Sequence, residues 1–152
     1  MNRLVIIMLV VLFSSCLKHD LPEIIESSQN TINSFSFQHR YMDTVYVAAG
    51  TANADTLVRV RMSTLTNRTT FSNDTIYCRP SLANNFPAAQ RSKVTITNLW
   101  ATATIPNAAI IEPINGAPAL GTPGDFSNNV SYKVTAANGE YRIYVIVTTP
   151  IP

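Results

Sequence analysis

Few side chains of this sequence have the chemistry and spacing that catalysis or metal binding requires. The chain has two histidines, His19 and His39, and nine acidic residues. The histidines are not spaced as a metal-binding pair, and no serine stands in a nucleophile-elbow motif. Two carboxylates could still hydrolyse a glycoside, but their separation in space is not visible in a sequence. We therefore predict a protein that is not an enzyme, with no catalytic residue, no metal site and no cofactor.

One short segment is rich in side-chain oxygen atoms. Asp125, Asn128 and Asn129 stand close together in the sequence. Carboxylate and amide oxygens are ligands of Ca²⁺, but an aspartate followed by small polar residues more commonly accepts a hydrogen bond from its own backbone in an Asx-turn. The segment therefore predicts a turn at Asp125 rather than a calcium site.

Cys16 follows a segment with the features of a bacterial export signal. Arg3 precedes an apolar run at 4–13, and Ser14 and Ser15 stand directly before the cysteine. A helix of that length spans about 15 Å, about half of a bilayer core, so the run is too short for a transmembrane helix. The segment resembles a lipoprotein signal peptide, whose cysteine is acylated before cleavage. An ordinary secretory signal would offer an Ala-x-Ala-like cleavage site, and none stands nearby.

The resemblance divides the chain into three parts. Residues 1–15 are expected to be a lipoprotein signal peptide, 16–30 the lipidated Cys16 with a flexible tether, and 31–152 the folded domain. Lys18 and Asp20 partly resemble the charged export signal of surface lipoproteins of Bacteroidetes. The resemblance implies a protein attached to the outer membrane through lipid at Cys16, with its domain exposed at the cell surface.

The composition of the chain favours strands and argues against a nucleic-acid-binding protein. Thr, Val and Ile number 17, 12 and 14, and β-branched residues pack well in strands. Charged residues make up only 13% of the chain, and the 11 basic and 9 acidic side chains give a net charge of +2. No basic cluster is present, so we expect no nucleic-acid partner.

Alternation of apolar and polar residues predicts half-buried strands at 35–37, 45–47 and 58–62. One more strand is predicted at 71–78, either continuous or interrupted at Asn73-Asp74. The alternation then changes parity at Asn98, after which Leu99, Ala101 and Ala103 occupy odd positions. A change of parity predicts a break at Asn98 and inward-facing Leu99, Ala101 and Ala103, so that Trp100 faces outward. The Pro- and Gly-rich segment 106–125 is predicted to be a loop with a short edge strand at 109–111.

The dipeptide Asn138-Gly139 predicts a two-residue β-hairpin turn of type I′, in which both central residues have positive φ. A two-residue loop would oppose Tyr132 to Val145 and place both on the apolar face. In this register Tyr144 lies on the opposite, outer face.

About seven strands and no convincing amphipathic helix predict an all-β fold, an immunoglobulin-like antiparallel β-sandwich. Part of the chain also resembles the C-terminal immunoglobulin-like module of surface lipoproteins of Bacteroidetes, a family of unknown function. The matching segments are 99–103, 109–116, 125–139 and 141–145. The resemblance implies the same fold, a turn capped by Asp125, and a core that includes Phe126, Val130, Tyr132 and Val134.

Two aromatic residues, Trp100 and Tyr144, are candidates for contact with a glycan or with another surface protein, because both are predicted to face outward. Sugar rings stack on exposed aromatic side chains. We predict a non-enzymatic interaction or structural module of the cell envelope. Two alternatives stay open: a carbohydrate-binding surface lipoprotein of a glycan-utilisation system, and a fimbria-like subunit that assembles by strand exchange.

Three Asp-Thr-aliphatic tripeptides contain Thr44, Thr56 and Thr75. They resemble the O-glycosylation sequon of exported Bacteroidetes proteins, which implies that these threonines are modified if they are exposed. The alternative is that aspartate opens turns and threonine begins strands. Cys78, which alternates with Ile76, is predicted to be a small buried residue.

Overall fold

The computed structural model describes residues 26–47 and 55–152. The predicted signal peptide at 1–15, Cys16 and most of the tether at 16–30 lie outside the described residues. Within the described part the chain is nearly all β, and the predicted immunoglobulin-like β-sandwich is confirmed. The strands are β1 (Ser34–Val47), β2 (Asp55–Thr64), β3 (Thr66–Ser72), β4 (Thr75–Ser81), β5 (Leu99–Thr104), β6 (Ile110–Ile114), β7 (Pro123–Gly124), β8 (Val130–Thr135) and β9 (Tyr141–Thr148).

The strands form two sheets. One sheet has the order β2-β1-β5-β7, and the other has the order β3-β4-β9-β8-β6. The described pairs are antiparallel except for β4 and β9, which run parallel with Ile76 opposite Ile146. A short helix, α1 (Ala88–Arg91), and a 3₁₀ turn (Ile96–Asn98) lie on the connection from β4 to β5.

Aromatic side chains between the sheets form the centre of the core. Phe35 and Phe37 point inward from β1 and contact each other edge to face, with ring centroids 5.5 Å apart. Phe37 also contacts Phe126 at 5.0 Å. The hydroxyl of Tyr132 donates a hydrogen bond to the carbonyl oxygen of Pro118 at 2.7 Å, and burial raises the pKa of Tyr132 to about 12. The core therefore joins β1 to β8 and to the loop before β8.

The predicted break at Asn98 is confirmed, because the 3₁₀ turn ends there and β5 begins at Leu99. Leu99 and Ala101 are fully buried and Trp100 is half-buried on the opposite face, as predicted. Residues 58–62 form part of a strand, β2, as predicted. The strand is not half-buried there, because its apolar side chains are exposed. Cys78 is a buried free thiol, whose pKa is raised by burial.

The predicted register of the β8–β9 hairpin is wrong by one residue. Tyr132 lies opposite Tyr144 rather than opposite Val145. The loop has three residues, because the Gly139 N–H donates to the Ala136 carbonyl at 3.0 Å, and among the loop residues only Gly139 has positive φ, at 86°. This is a type I turn followed by a bulge at glycine, not a type I′ turn. The extra loop residue exchanges the faces of β9.

Candidate interaction surface

Part of the first sheet extends beyond the sandwich. β1 pairs with β5 only from Ser34 to Gln38, whereas it pairs with β2 from Gln38 to Val47. Residues 39–47 and 55–63 therefore form a two-stranded ribbon, which we call the arm. A two-stranded ribbon has little stability of its own, so its base must be held by the sandwich.

The base of the arm is fixed by a buried histidine. The His39 side chain is 5% exposed and stacks on Tyr41, with ring centroids 5.8 Å apart. His39 also contacts the ring of Phe86 at 6.2 Å, and its Nε2 lies 3.5 Å from Oε1 of Gln90 in α1. The loop before β5 thus covers the inner face of the arm at its base, and His39 has a packing role there.

The outer face of the arm carries an apolar strip of four residues: Met42, Val58, Val60 and Met62. Their side chains are 65%, 60%, 63% and 61% exposed, respectively. Register explains the strip, since Met42 lies opposite Val60 and β-strand side chains alternate between faces. Contiguous exposed apolar side chains are uncommon on a soluble protein and mark interaction surfaces.

The inner face of the arm is charged instead. Nε of Arg61 on β2 lies 3.0 Å from Oδ2 of Asp43 on β1, and the two side chains are 50% and 38% exposed. Arg59 is exposed on the same face, with its Cα opposite Asp43. The arm is therefore two-faced, with one apolar face and one face that carries two arginines and one aspartate.

Trp100 stands where the arm leaves the sandwich. The guanidinium of Arg40 lies 4.1 Å from the centroid of the Trp100 ring, a cation–π contact. Nη2 of Arg40 also donates a hydrogen bond to Oε1 of Gln38 at 3.2 Å. An open cavity of about 350 Å³ lies beside this pair, lined by Arg40, Tyr41, Met42, Val60 and Trp100. Trp100, the predicted contact residue, thus joins the end of the apolar strip.

Tyr144 does not belong to this surface. The sequence prediction placed Tyr144 on an outer face, and this is wrong, because its side chain is only 3% exposed. The one-residue shift of the hairpin register turns Tyr144 into the core and turns Ile143 outward, where it is 43% exposed. Tyr144 therefore has no surface to offer a glycan or a protein.

The candidate glycosylation sites differ in exposure. Thr44 on β1 and Thr56 on β2 are exposed, and they lie at the far half of the arm. Thr75 begins β4 and is half-buried. Thr44 and Thr56 therefore meet the condition of exposure, while Thr75 meets it only in part.

Four of the described acidic residues have structural partners. Asp43, Asp74 and Glu112 each form an ion pair with an arginine or a lysine. Asp125 accepts a hydrogen bond from the Ser127 N–H at 2.8 Å, the predicted Asx-turn, and hydrogen bonds from Ser127 lower the pKa of Asp125. In residues 26–47 and 55–152, no group of three or more His, Cys, Asp or Glu side chains is placed to hold a metal ion.

The last strand of the described chain, β9, is well packed in the centre of its sheet. β9 lies between β4 and β8, and its Ile146 is fully buried. A subunit that assembles by strand exchange needs a strand that packs weakly, and β9 does not have that property. None of the described helices is long and apolar enough to span a bilayer.

The fold resembles solved structures of low sequence identity. A Bacteroides fragilis protein, described as a candidate secreted protein, is 22% identical and superimposes with a TM-score of 0.64, covering 81% of this chain and 95% of that chain. A candidate glycoside hydrolase from Bacteroides thetaiotaomicron is 19% identical, with a TM-score of 0.44, and the match covers 84% of this chain and 27% of that chain.

A search of curated proteins gave no match. A family model does match, and it covers residues 32–147, from the buried core residue Ile32 to Val147, one residue before the end of β9. The match spans both sheets of the sandwich and the arm. The chain belongs to the DUF5018-related family.

Proposed function

We propose that this protein is a lipid-anchored module of the cell envelope that acts by binding another protein through the arm, not by catalysis. The observation that carries the proposal is the apolar strip, whose four side chains are each at least 60% exposed on a ribbon that projects from the sandwich. Burial of such side chains against a partner is favourable, since it removes apolar surface from water.

The anchor is proposed from the sequence at Cys16, behind its apolar run and two serines. Acyl chains contribute about 0.8 kcal/mol per buried CH₂, so two or three chains hold a protein firmly on a membrane. The similar fold of a Bacteroides fragilis protein described as a candidate secreted protein supports export. We place the protein at the outer membrane, with its domain facing outward.

Two experiments test the anchor and the arm separately. Cys16→Ser should move the full chain from the membrane fraction to the soluble fraction and abolish incorporation of labelled fatty acid. For the arm, a photoreactive amino acid at Val60 should give a discrete cross-linked product in intact cells. The matched position is Thr70, which is exposed on β3 of the other sheet. A Val60 probe that gives no product, or no more than the Thr70 probe, would refute binding through the arm.

Carbohydrate binding is the second candidate, because Trp100 is half-buried beside a cavity of about 350 Å³ that also presents a guanidinium group. Pyranose rings stack on aromatic faces. The face of Trp100 that meets Arg40 is occupied, so a sugar would have to displace the cation–π contact there. A glycan array comparing the wild type with Trp100→Ala tests this, and specific binding that disappears in the variant would favour this candidate over the first.

A further inference from the structure

We infer that the protein bound by the arm carries a carboxylate in its contact segment, and that Arg40 binds this carboxylate. The inference rests on the proposed function, because it names the chemistry of the partner that covers the apolar strip. The observation that carries it is the position of Arg40, whose Cα lies opposite that of Met62 and whose guanidinium lies over Trp100.

Arg40 shares the outer face of the first sheet with the apolar strip. It is paired with Met62 of β2, and Met42, two residues further along β1, is paired with Val60. Directly opposed residues of an antiparallel pair lie on one face, and so do residues two apart in a strand. A partner that covers the strip therefore covers Arg40 as well.

No described carboxylate neutralises Arg40. It takes part in none of the ion pairs between described residues, and Asp43 lies on the inner face of the arm, where it pairs with Arg61. In the described parts of β1, β2 and β5, Arg40 is the only charged residue on the outer face. Covering the strip would thus bury a charge without a counter-ion, which is costly unless the partner supplies one.

The guanidinium is held in position before a partner binds. Besides the contact with the Trp100 ring at 4.1 Å, Nε and Nη2 of Arg40 lie 3.4 and 3.2 Å from Oε1 of Gln38. Both contacts are neutral, so the positive charge is kept. An ordered side chain loses less conformational freedom on binding, and the planar fork of a guanidinium can donate to both oxygens of one carboxylate.

The cavity beside Arg40 offers room for this group. Its volume is about 350 Å³, and Met42, Val60 and Trp100 also line it. Residues two apart in a strand are about 7 Å apart along one face. A partner strand that lies along β1 with its carboxylate at Arg40 therefore places the side chain two positions further on over Met42. We expect a contact segment with aspartate or glutamate at one position and an apolar residue two positions away.

Variants of Arg40 in the photo-cross-linking experiment at Val60 test the inference. Arg40→Gln removes the charge from the outer face, and Arg59→Gln, on the inner face of the arm, is the matched control. We expect Arg40→Gln to lower the yield of the Val60 photoproduct about tenfold, because it leaves the partner's carboxylate buried without a counter-ion. Arg59→Gln should change the yield by less than about twofold, since exposed charges contribute little.

If Arg40→Gln lowers the yield no more than Arg59→Gln does, the inference is overturned. The Val60 photoproduct would still be formed in that case, so the proposed function would stand. A parent chain that gives no photoproduct, or one that contains lipid instead of protein, refutes the proposed function and the inference together.

Zero-length cross-linking detects the carboxylate directly. A carbodiimide joins an amine to a carboxylate in contact with it as an amide, and takes up the water as a urea. Arg40→Lys brings an amine to the outer face of the arm, and Arg68→Lys, at an exposed position of β3, is the control. Membranes from cells that produce the full chain are treated with the carbodiimide, and resistance to proteolysis shows that each variant is folded.

We expect Arg40→Lys to give an amide-linked product that contains the same protein as the Val60 photoproduct, joined through an aspartate or glutamate. A folded Arg40→Lys variant that gives no such product, or no more than Arg68→Lys gives, overturns the inference even if Arg40→Gln weakens binding. Fractionation of Cys16→Ser is independent of both experiments.

Discussion

The β8–β9 hairpin and the arm are both antiparallel strand pairs with alternating apolar residues, but only the first buries its apolar face. Tyr132 and Val134 on β8 are fully buried, whereas Val58 and Val60 on β2 are 60% and 63% exposed. Those valines lie on the outer face of the first sheet, which points away from the second sheet, and nothing in the described chain covers them. Alternation therefore gives a strand two faces, while the layer that covers one of them comes from elsewhere in the fold.

The largest contrast should come from truncating one apolar side chain in each region. Phe37→Ala removes a ring that contacts both Phe35 and Phe126, and we expect it to lower the free energy of unfolding by about 3–5 kcal/mol. Val60→Ala removes an exposed side chain and should change it by less than about 0.5 kcal/mol. Urea denaturation of both variants measures the difference. If Val60→Ala lowered the free energy of unfolding by much more than this, the apolar strip would already be covered by a partner in the sample.

A smaller effect is expected from the polar end of the core. Tyr132→Phe leaves the Pro118 carbonyl without its 2.7 Å hydrogen bond, and we expect a loss of about 1–2 kcal/mol at neutral pH. The matched control is Tyr141→Phe, because Tyr141 is 63% exposed and should tolerate loss of its hydroxyl. Equal losses in the two variants would show that the buried hydrogen bond contributes little.

The same residue gives a pH dependence with a definite sign. Burial raises the pKa of Tyr132 from 10.0 to about 12, so the folded state holds its proton more tightly than the unfolded state. This contribution to stability is complete below pH 10 and is lost as the pH rises toward 12. The advantage of the wild type over Tyr132→Phe should therefore shrink between these pH values. An advantage that stays constant over this range would contradict the raised pKa.

In the loop of the β8–β9 hairpin, substitution of Gly139 should lower the free energy of unfolding by about 1 kcal/mol, and substitution of Asn138 should lower it by less. Gly139 has φ of 86° and an open space around it, so Gly139→Ala costs conformational strain but no clash. Asn138 lacks positive φ, and Asn138→Ala loses only the hydrogen bond from the Glu140 N–H to Oδ1. Thermal unfolding of both variants tests the three-residue loop, since a type I′ turn would make the two substitutions similarly costly.

These cases show which features the sequence determines locally. The break at Asn98 and the opposite faces of Leu99 and Trp100 were predicted correctly, because alternation depends only on neighbouring residues. The buried position of Tyr144 was not predicted, because one extra residue in the loop moves each side chain of the following strand to the opposite face of the sheet.

The candidate interaction surface also depends on contacts that the local sequence pattern does not predict. Trp100 was predicted as an outward-facing residue, but its neighbours Arg40 and Val60 come from strands that are distant in the sequence. Their meeting depends on the pairing of β1 with β2 on one side and with β5 on the other. The alternation of Val58, Val60 and Met62 predicts that they share one face of a strand, but it does not say whether that face points toward the second sheet or away from it.

The smallest expected effect concerns the ion pairs of the two regions. Asp43→Asn removes the exposed Arg61–Asp43 pair of the arm, and Glu112→Gln removes the Lys133–Glu112 pair between β6 and β8. Each should cost at most about 0.5 kcal/mol, and less in high salt. Because a ribbon can open without the sandwich, Asp43→Asn should speed hydrogen exchange about twofold at amides of the arm only. Faster exchange in β8 as well would show that the arm and the sandwich open as one unit. Glu112→Gln provides the reciprocal measurement, because it should speed exchange in β6 and β8 but not in the arm.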